Sequence, residues 1–195
     1  MSTKNATKDV SQKPVTQVTT GLVRLSYFNA WKPDPKDGKF KTAILIPKTD
    51  EETVGKINAA IKELTAEAIK KFGFKNNKLP VTFKTCLRDG DEEKDDDNYA
   101  GQYFLNATSK NQPGIVGMER DENNKLKRIT DENEVYSGCY ARVSLNFYIF
   151  DVDGNKGIAA GLNNVQKVRD GEKLAGGSSA DSDFDDDFED DSYLD

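Results

Sequence analysis

The chain has 195 residues, about one domain's length, and carries 28 Lys and Arg, 34 Asp and Glu and no His, for a formal net charge of −6. Without His there is no Ser–His or Cys–His catalytic pair and no His-ligated metal, and two cysteines, Cys86 and Cys139, cannot build a structural zinc site by themselves. The charge is split: nine acids and no base fall in residues 181–195, whereas residues 1–84 hold 16 bases against 8 acids, an asymmetry that points to nucleic-acid contact combined with an acidic tail.

Residues 1–14 are rich in Lys, Thr and Ser and read as a flexible basic arm. They contain no apolar stretch of the kind a signal peptide needs, and the chain has no run of 18 apolar residues to span a membrane. Two free thiols fit a reducing compartment, so the expected location is cytoplasmic. Val15–Phe28 is a long β-rich run, and Lys39–Ile46 is a second, bounded by Asp37-Gly38 and Pro47. One amphipathic helix is predicted over about 50–72, because Val54, Ile57, Ile61, Leu64, Ala68 and Phe72 form a stripe of helical period. Thr49 and Glu52 have capping-box spacing, and Gly73 suits a left-handed stop. Strands are predicted at Val81–Leu87 and Tyr103–Ala107, a hairpin at Ile115–Met118 and Lys125–Ile129, and a long strand over Tyr136–Phe150. Asp153-Gly154 then signals a hairpin turn, with Lys156–Val168 returning. Several strands and one helix predict a mainly β fold, a small barrel over residues 15–172 with the helix plugging one side. Residues 173–195 are expected to be a disordered acidic tail, since such charge density cannot bury enough apolar surface to offset ordering.

Two segments have the composition of a nucleic-acid platform. Along the long strand, Ala141, Val143, Leu145, Phe147 and Ile149 alternate with Tyr140, Arg142, Ser144, Asn146, Tyr148 and Phe150. The first set is a core face. The second combines rings that stack on bases with a guanidinium that pairs with phosphate, unless a helix or loop covers its tyrosines. Ser26-Tyr27-Phe28-Asn29-Ala30-Trp31-Lys32-Pro33 ends the first strand in an aromatic loop, followed by Lys36, Lys39, Phe40, Lys41 and Lys48. Trp31 serves either as a binding platform or as a cover over an open barrel end.

Three acidic features compete for a chemical role. Asp89–Asp97 places seven acids around Lys94 but lacks EF-hand spacing, and reads as a solvated loop. Asp151 and Asp153 resemble a D-x-D metal pair, yet a hairpin turn accounts for them more simply. No two-metal carboxylate set and no Walker-type phosphate loop is evident. The tail carries Phe184, Phe188, Tyr193 and Leu194 among its acids, so it is suited either to occupy a groove built for bases and phosphates or to dock in a basic-rimmed partner pocket; a plain solubility tail is the simpler alternative.

The segments Ser26–Pro33, Lys41–Lys48, Asp89-Gly90-Asp91, Tyr136–Tyr140 and Asn155–Gln166 resemble those of phage-encoded single-stranded-DNA-binding proteins of the OB-fold type with acidic C-terminal tails. The resemblance implies an OB-fold-like barrel that sequesters exposed strands during phage DNA replication, recombination or repair in the bacterial host. It also implies a tail that shields the groove and recruits replication or recombination proteins, though this chain ends Tyr193-Leu194-Asp195 rather than on an aromatic. The expected function is therefore non-enzymatic, sequence-tolerant binding of single-stranded DNA, with no cofactor, no metal and no membrane partner. The candidate stackers are Phe28, Trp31, Phe40, Tyr103, Tyr140 and Tyr148. The candidate phosphate contacts are Arg24, Lys32, Lys39, Lys41, Lys48, Arg142 and Lys156. Phe40 and Tyr103 depend on register, since a one-residue slip turns them into the core. Three alternatives stay open: a metal-dependent nuclease using Asp89, Asp91, Asp151 or Asp153; an acidic-tailed interaction module without DNA affinity; and a strand-annealing protein. Homo-oligomers are also open.

Overall fold

Long runs of alternating apolar residues need a partner sheet edge and a covered face, and this chain supplies both by rolling its strands into a ring. A computed structural model describes residues 13–174. Residues 1–12 of the expected arm and 175–195 of the expected tail, including Phe184, Phe188, Tyr193 and Leu194, lie outside the described residues. In chain order the strands are β1 (Gln17–Thr19), β2 (Val23–Asn29), β3 (Phe40–Pro47), β4 (Arg88–Asp89), β5 (Gln102–Ser109), β6 (Gly114–Arg120), β7 (Leu126–Arg128), β8 (Tyr140–Val152) and β9 (Asn155–Arg169). Helix α1 (Glu51–Phe72) follows β3, and the short helix α2 (Gly90–Glu93) precedes a 3-10 turn at Asp97–Tyr99.

Strands β2, β3, β5, β9 and β8 pair in that order, and β8 returns to β2, closing a five-stranded barrel of the OB type. All its seams are antiparallel except β5–β9, which is parallel and rests on Ala107↔Ala160 and Thr108↔Gly161. β1 extends the sheet beside β8, and the β6–β7 hairpin extends it beside β9. The β8–β9 hairpin turns at Asp153-Gly154, both with positive φ, as expected from Asp-Gly. The inward side chains Val23, Leu25, Ile44, Ile46, Leu105, Val143, Leu145 and Phe147 form the core.

α1 seals the barrel with Ile57, Ala60, Leu64 and Ala68, packing on β1, β8 and β9. Its N-cap is Asp50, one residue beyond the Thr49 expected from the capping box: the Asp50 carboxylate accepts the Thr53 N–H at 3.0 Å. The Thr53 hydroxyl is used elsewhere, accepting the Gly21 N–H at 2.7 Å. This contact also breaks the single long strand expected over Val15–Phe28. The chain crosses the helix start at Gly21, where a Cβ would lie 2.6 Å from an Asp50 carboxylate oxygen. Gly73, left-handed at φ 60°, ends the helix and donates to Ile69 O.

Val81–Leu87 is not the expected strand. A turn from Pro80 to Phe83 redirects the chain, Val81 is fully exposed, and the only pairing here is a bridge from Lys84 to Gly157. The acidic stretch that follows is folded rather than merely solvated. Asp89 caps α2, Asp96 caps the 3-10 turn, and Tyr99 buries its ring against Leu45 and Phe104 on the outside of the barrel. Among the described residues no helix is long and apolar enough to cross a membrane.

Candidate nucleic-acid interface

The outer wall of β2, β3 and β5 is set by register. Arg24 lies opposite Leu45 and Leu45 opposite Phe104; Ser26, Ala43 and Asn106 form the next row; Asn29, Lys41 and Thr108 form the last. Between Ser26 and Asn29 the register shifts by one residue, and Tyr27 takes φ 46°. This bulge reverses the alternation. Tyr27 turns out and is 67% exposed, whereas Phe28 turns in and packs on the core. Two depressions share Tyr27 and Asn29 on this wall. One, about 430 Å³, is floored by Phe104 and Tyr99 and bordered by Lys41, Lys94 and Asn106. The other, about 370 Å³, is lined by Ser26, Phe28, Asp96, Asn98 and Leu174. Lys94 Nζ stands 5.4 Å from the Tyr99 ring and 5.5 Å from the Phe104 ring.

Several expected phosphate contacts already hold carboxylates. Lys48 Nζ lies 2.6 Å from Asp89 and 2.7 Å from Asp91, and these hydrogen bonds raise its pKa. Lys41 bridges Asp34 at 2.8 Å and Asp37 at 3.1 Å and is likewise raised, with both carboxyls held below their usual range by the same ammonium. Lys32 pairs with Glu132 and Lys156 with Asp151. Asp89, Asp91 and Asp151 are thus committed to lysines, and among the described residues no cluster of three or more carboxylate or thiol ligands could hold a metal ion.

A family model described as the single-stranded-DNA-binding protein of Enterobacter phage Enc34 matches residues 16–194. The chain belongs to this family. The family is one of DNA-binding proteins, not of enzymes, which sets the nuclease alternative aside. Protein p50 of Acyrthosiphon pisum secondary endosymbiont phage 1 is 34% identical over 175 residues, covering 84% of this chain and 90% of that protein. The solved Enc34 protein in complex with single-stranded DNA aligns with a TM-score of 0.66 and 24% identity, over 82% of this chain and 90% of that one. The single-stranded-DNA-binding protein gp2.5 of bacteriophage T7 aligns with a TM-score of 0.57 and 16% identity, over 91% of this chain and 97% of that one. At these identities the two structures attest the shared fold.

In this phage single-stranded-DNA-binding fold the expected aromatics do not gather on one wall. Trp31 is half-buried against the core, donates its indole N–H to Val135 O at 2.8 Å and meets Phe28 edge-on at 6.4 Å. Tyr103 also packs on the core, and Phe40 alternates onto the inward side with Thr42 and Ile44, so neither ring lies on the outer wall. Tyr140 faces outward next to the wall, its ring covered by Arg169 at 3.8 Å and Arg24 at 5.8 Å. Arg24 reaches Gly138 O, Asn98 Oδ1 and Glu172 O. Arg142 is exposed and bonds Thr20 O; Lys39 is half-exposed at the start of β3. Tyr148 is exposed on the β8–β9 wall opposite Ala159, away from Tyr27. Sequence reasoning missed Tyr27, Lys94, Phe104 and Asn106. Strict alternation hides Tyr27 on the core side, and a lone Lys inside an acidic run shows no sign that its loop folds onto a sheet.

Proposed function

We propose that this chain binds single-stranded DNA without reading its sequence, laying the strand along the outer wall of β2, β3 and β5. The observation that carries this reading is the wall itself, where an exposed ring, Tyr27, divides two depressions and Lys94 stands over aromatic floor residues. Bases stack on such rings at roughly 1–3 kcal/mol each. Arg24, Lys39, Lys94 and Arg142 supply phosphate contacts whose counterion release makes affinity fall with salt. Lys32, Lys41 and Lys156 contribute only by exchanging a carboxylate for a phosphate, at small cost where the pair is exposed, and Lys48 stays with Asp89 and Asp91. Tyr140 and Tyr148 are further stackers for a strand that continues onto β8.

Within this reading, residues 181–195 compete with DNA for the wall. Once DNA displaces them, Phe184, Phe188, Tyr193 and Leu194 dock replication or recombination proteins in the phage's bacterial host. Leu174 supports this role: the last described residue lines the second depression and packs beside Leu45, Tyr99 and Phe104, so the tail departs from the wall at high effective concentration.

The test is an anisotropy titration of labelled oligo-dT and duplex DNA with the full chain and a 1–180 truncation, at low and high salt. A label on the DNA replaces Trp31 as reporter, because the indole is half-buried and hydrogen-bonded. The expected result is a preference for oligo-dT that weakens with salt, and tighter binding by the truncation at low salt, where the tail contact is least screened. Equal affinity of the two chains at low salt removes the competing tail. No binding by either removes the DNA-binding reading.

A further inference from the structure

Four non-glycine residues in the described chain have positive φ: Tyr27, Asn76, Asn124 and Asp153. Three are Asn or Asp, which tolerate the left-handed region, and all three lie in turns or 3-10 segments. Tyr27 is a bulky ring inside a strand, at φ 46°. A backbone held this way persists only where its surroundings over-determine it, and such sites cluster at ligand contacts. The surroundings do determine it: Leu25 and Phe28 are anchored in the core on either side, and Ser26 is buried under Tyr99. The consequence is a ring projecting 67% exposed from a strand whose other residues, Asn29 apart, are buried or half-buried, and it lines two depressions, each larger than a nucleobase.

We propose that Tyr27 is a wedge that inserts between two consecutive bases of the bound strand, one base occupying each depression. This deepens the reading that the wall binds single-stranded DNA and rests on it. On one side the base lies against Tyr27 beside Lys94 and Asn106, above the buried rings of Phe104 and Tyr99; on the other it lies against the opposite face of Tyr27, with Asp96 and Asn98 at its edge. A stacked duplex must unstack a step before the ring can enter, whereas a single strand opens at far lower cost, so the wedge is a selectivity device for unpaired DNA. Every base has a π-face, so the device is tolerant of sequence.

The test uses the full chain and three proteins: wild type, Tyr27→Phe and Tyr27→Gly. Glycine fits the positive φ, so Tyr27→Gly removes the ring without straining the bulge, and its thermal midpoint is expected to be no lower than wild type. Oligo-dT affinity is expected to stay within about twofold for Tyr27→Phe and to fall roughly tenfold to a hundredfold for Tyr27→Gly. The slope of affinity against salt should not change, because no phosphate contact is lost. An oligonucleotide with two adjacent 2-aminopurines should lose its exciton circular dichroism on binding wild type and keep it on binding Tyr27→Gly. Photocrosslinking of 5-iododeoxyuridine oligonucleotides to wild type, mapped by mass spectrometry, should mark Tyr27, and this readout needs no variant. Tight oligo-dT binding with equal affinity for Tyr27→Gly and no crosslink at Tyr27 overturns the wedge and leaves the DNA-binding reading standing. Failure of wild type to bind oligo-dT overturns both.

Discussion

At the scale of single residues, Lys48 and Lys94 illustrate two fates for a positive side chain near the wall, one held by carboxylates and one standing over rings. Lys48 grips Asp89 and Asp91, and Asp91 also accepts the Gly101 N–H at 2.8 Å, so this lysine pins the folded acidic segment to the end of β3. Lys94 stands over the rings of Tyr99 and Phe104, and no ion pair to it occurs among the described residues. Lys94→Ala is therefore expected to reduce the slope of log affinity against log salt by about 0.7, the loss of one phosphate contact on a single strand. Lys48→Ala is expected to leave that slope nearly unchanged while lowering the thermal midpoint. The pH dependence has a defined sign. The Lys48 hydrogen bond, and then the Gly101 N–H, hold the Asp91 carboxyl below its ordinary 3.8. A depressed carboxyl stabilises the fold above its unfolded value and loses that contribution as pH falls through the lower folded value. Thermal melts of wild type and Lys48→Ala should differ most at neutral pH and converge as pH drops below 3.8.

At the scale of elements, α1 ties the sheet extension to the barrel. Its apolar stripe and its ends were legible in sequence, because helical period, first-turn acids, last-turn lysines and Gly73 all agree. Its N-cap residue was not, because Thr49 and Asp50 are adjacent capping residues and only the backbone geometry selects Asp50, which accepts the Thr53 N–H. Asp50→Ala is expected to lower unfolding free energy by about 1 kcal/mol, and Ile57→Ala, fully buried, by roughly 2–5 kcal/mol; urea denaturation of both variants measures the two. The β2 bulge is the element-level feature that sequence concealed. Whether Tyr27 or Phe28 faces out depends on one extra residue relative to β3, and period-two reasoning has no term for it.

At the scale of the whole molecule, the barrel is closed by unequal seams. β8 and β9 pair along thirteen positions, whereas the parallel β5–β9 closure rests on two. That seam is the expected site of first opening, so native-state hydrogen exchange should find weaker protection for amides that donate across β5–β9 than for those that donate across β3–β5 or β8–β9. The folded acidic segment crosses the outside of β3 and β5 next to the proposed strand path, and Leu174, the last described residue, packs at the same place. Under the proposed reading DNA and the tail compete at a wall that the acidic segment borders, which makes salt the natural variable for binding experiments on this protein.

The sequence by itself determined the class of the molecule: a mainly β barrel with one helix, an Asp-Gly hairpin between its two longest strands, the core face of β8, and a basic front half opposed to an acidic end. Those features are local in period, turn chemistry or charge, so they can be read without knowing what packs on what. Only the tertiary structure decided that Phe28, Trp31 and Tyr103 serve the core, that Lys41 and Lys48 are held by acids, and that Tyr27 and Lys94 stand at the wall. Each of these outcomes turns on a contact between segments distant in sequence, or on a one-residue register shift, and neither leaves a mark in the local pattern of the chain.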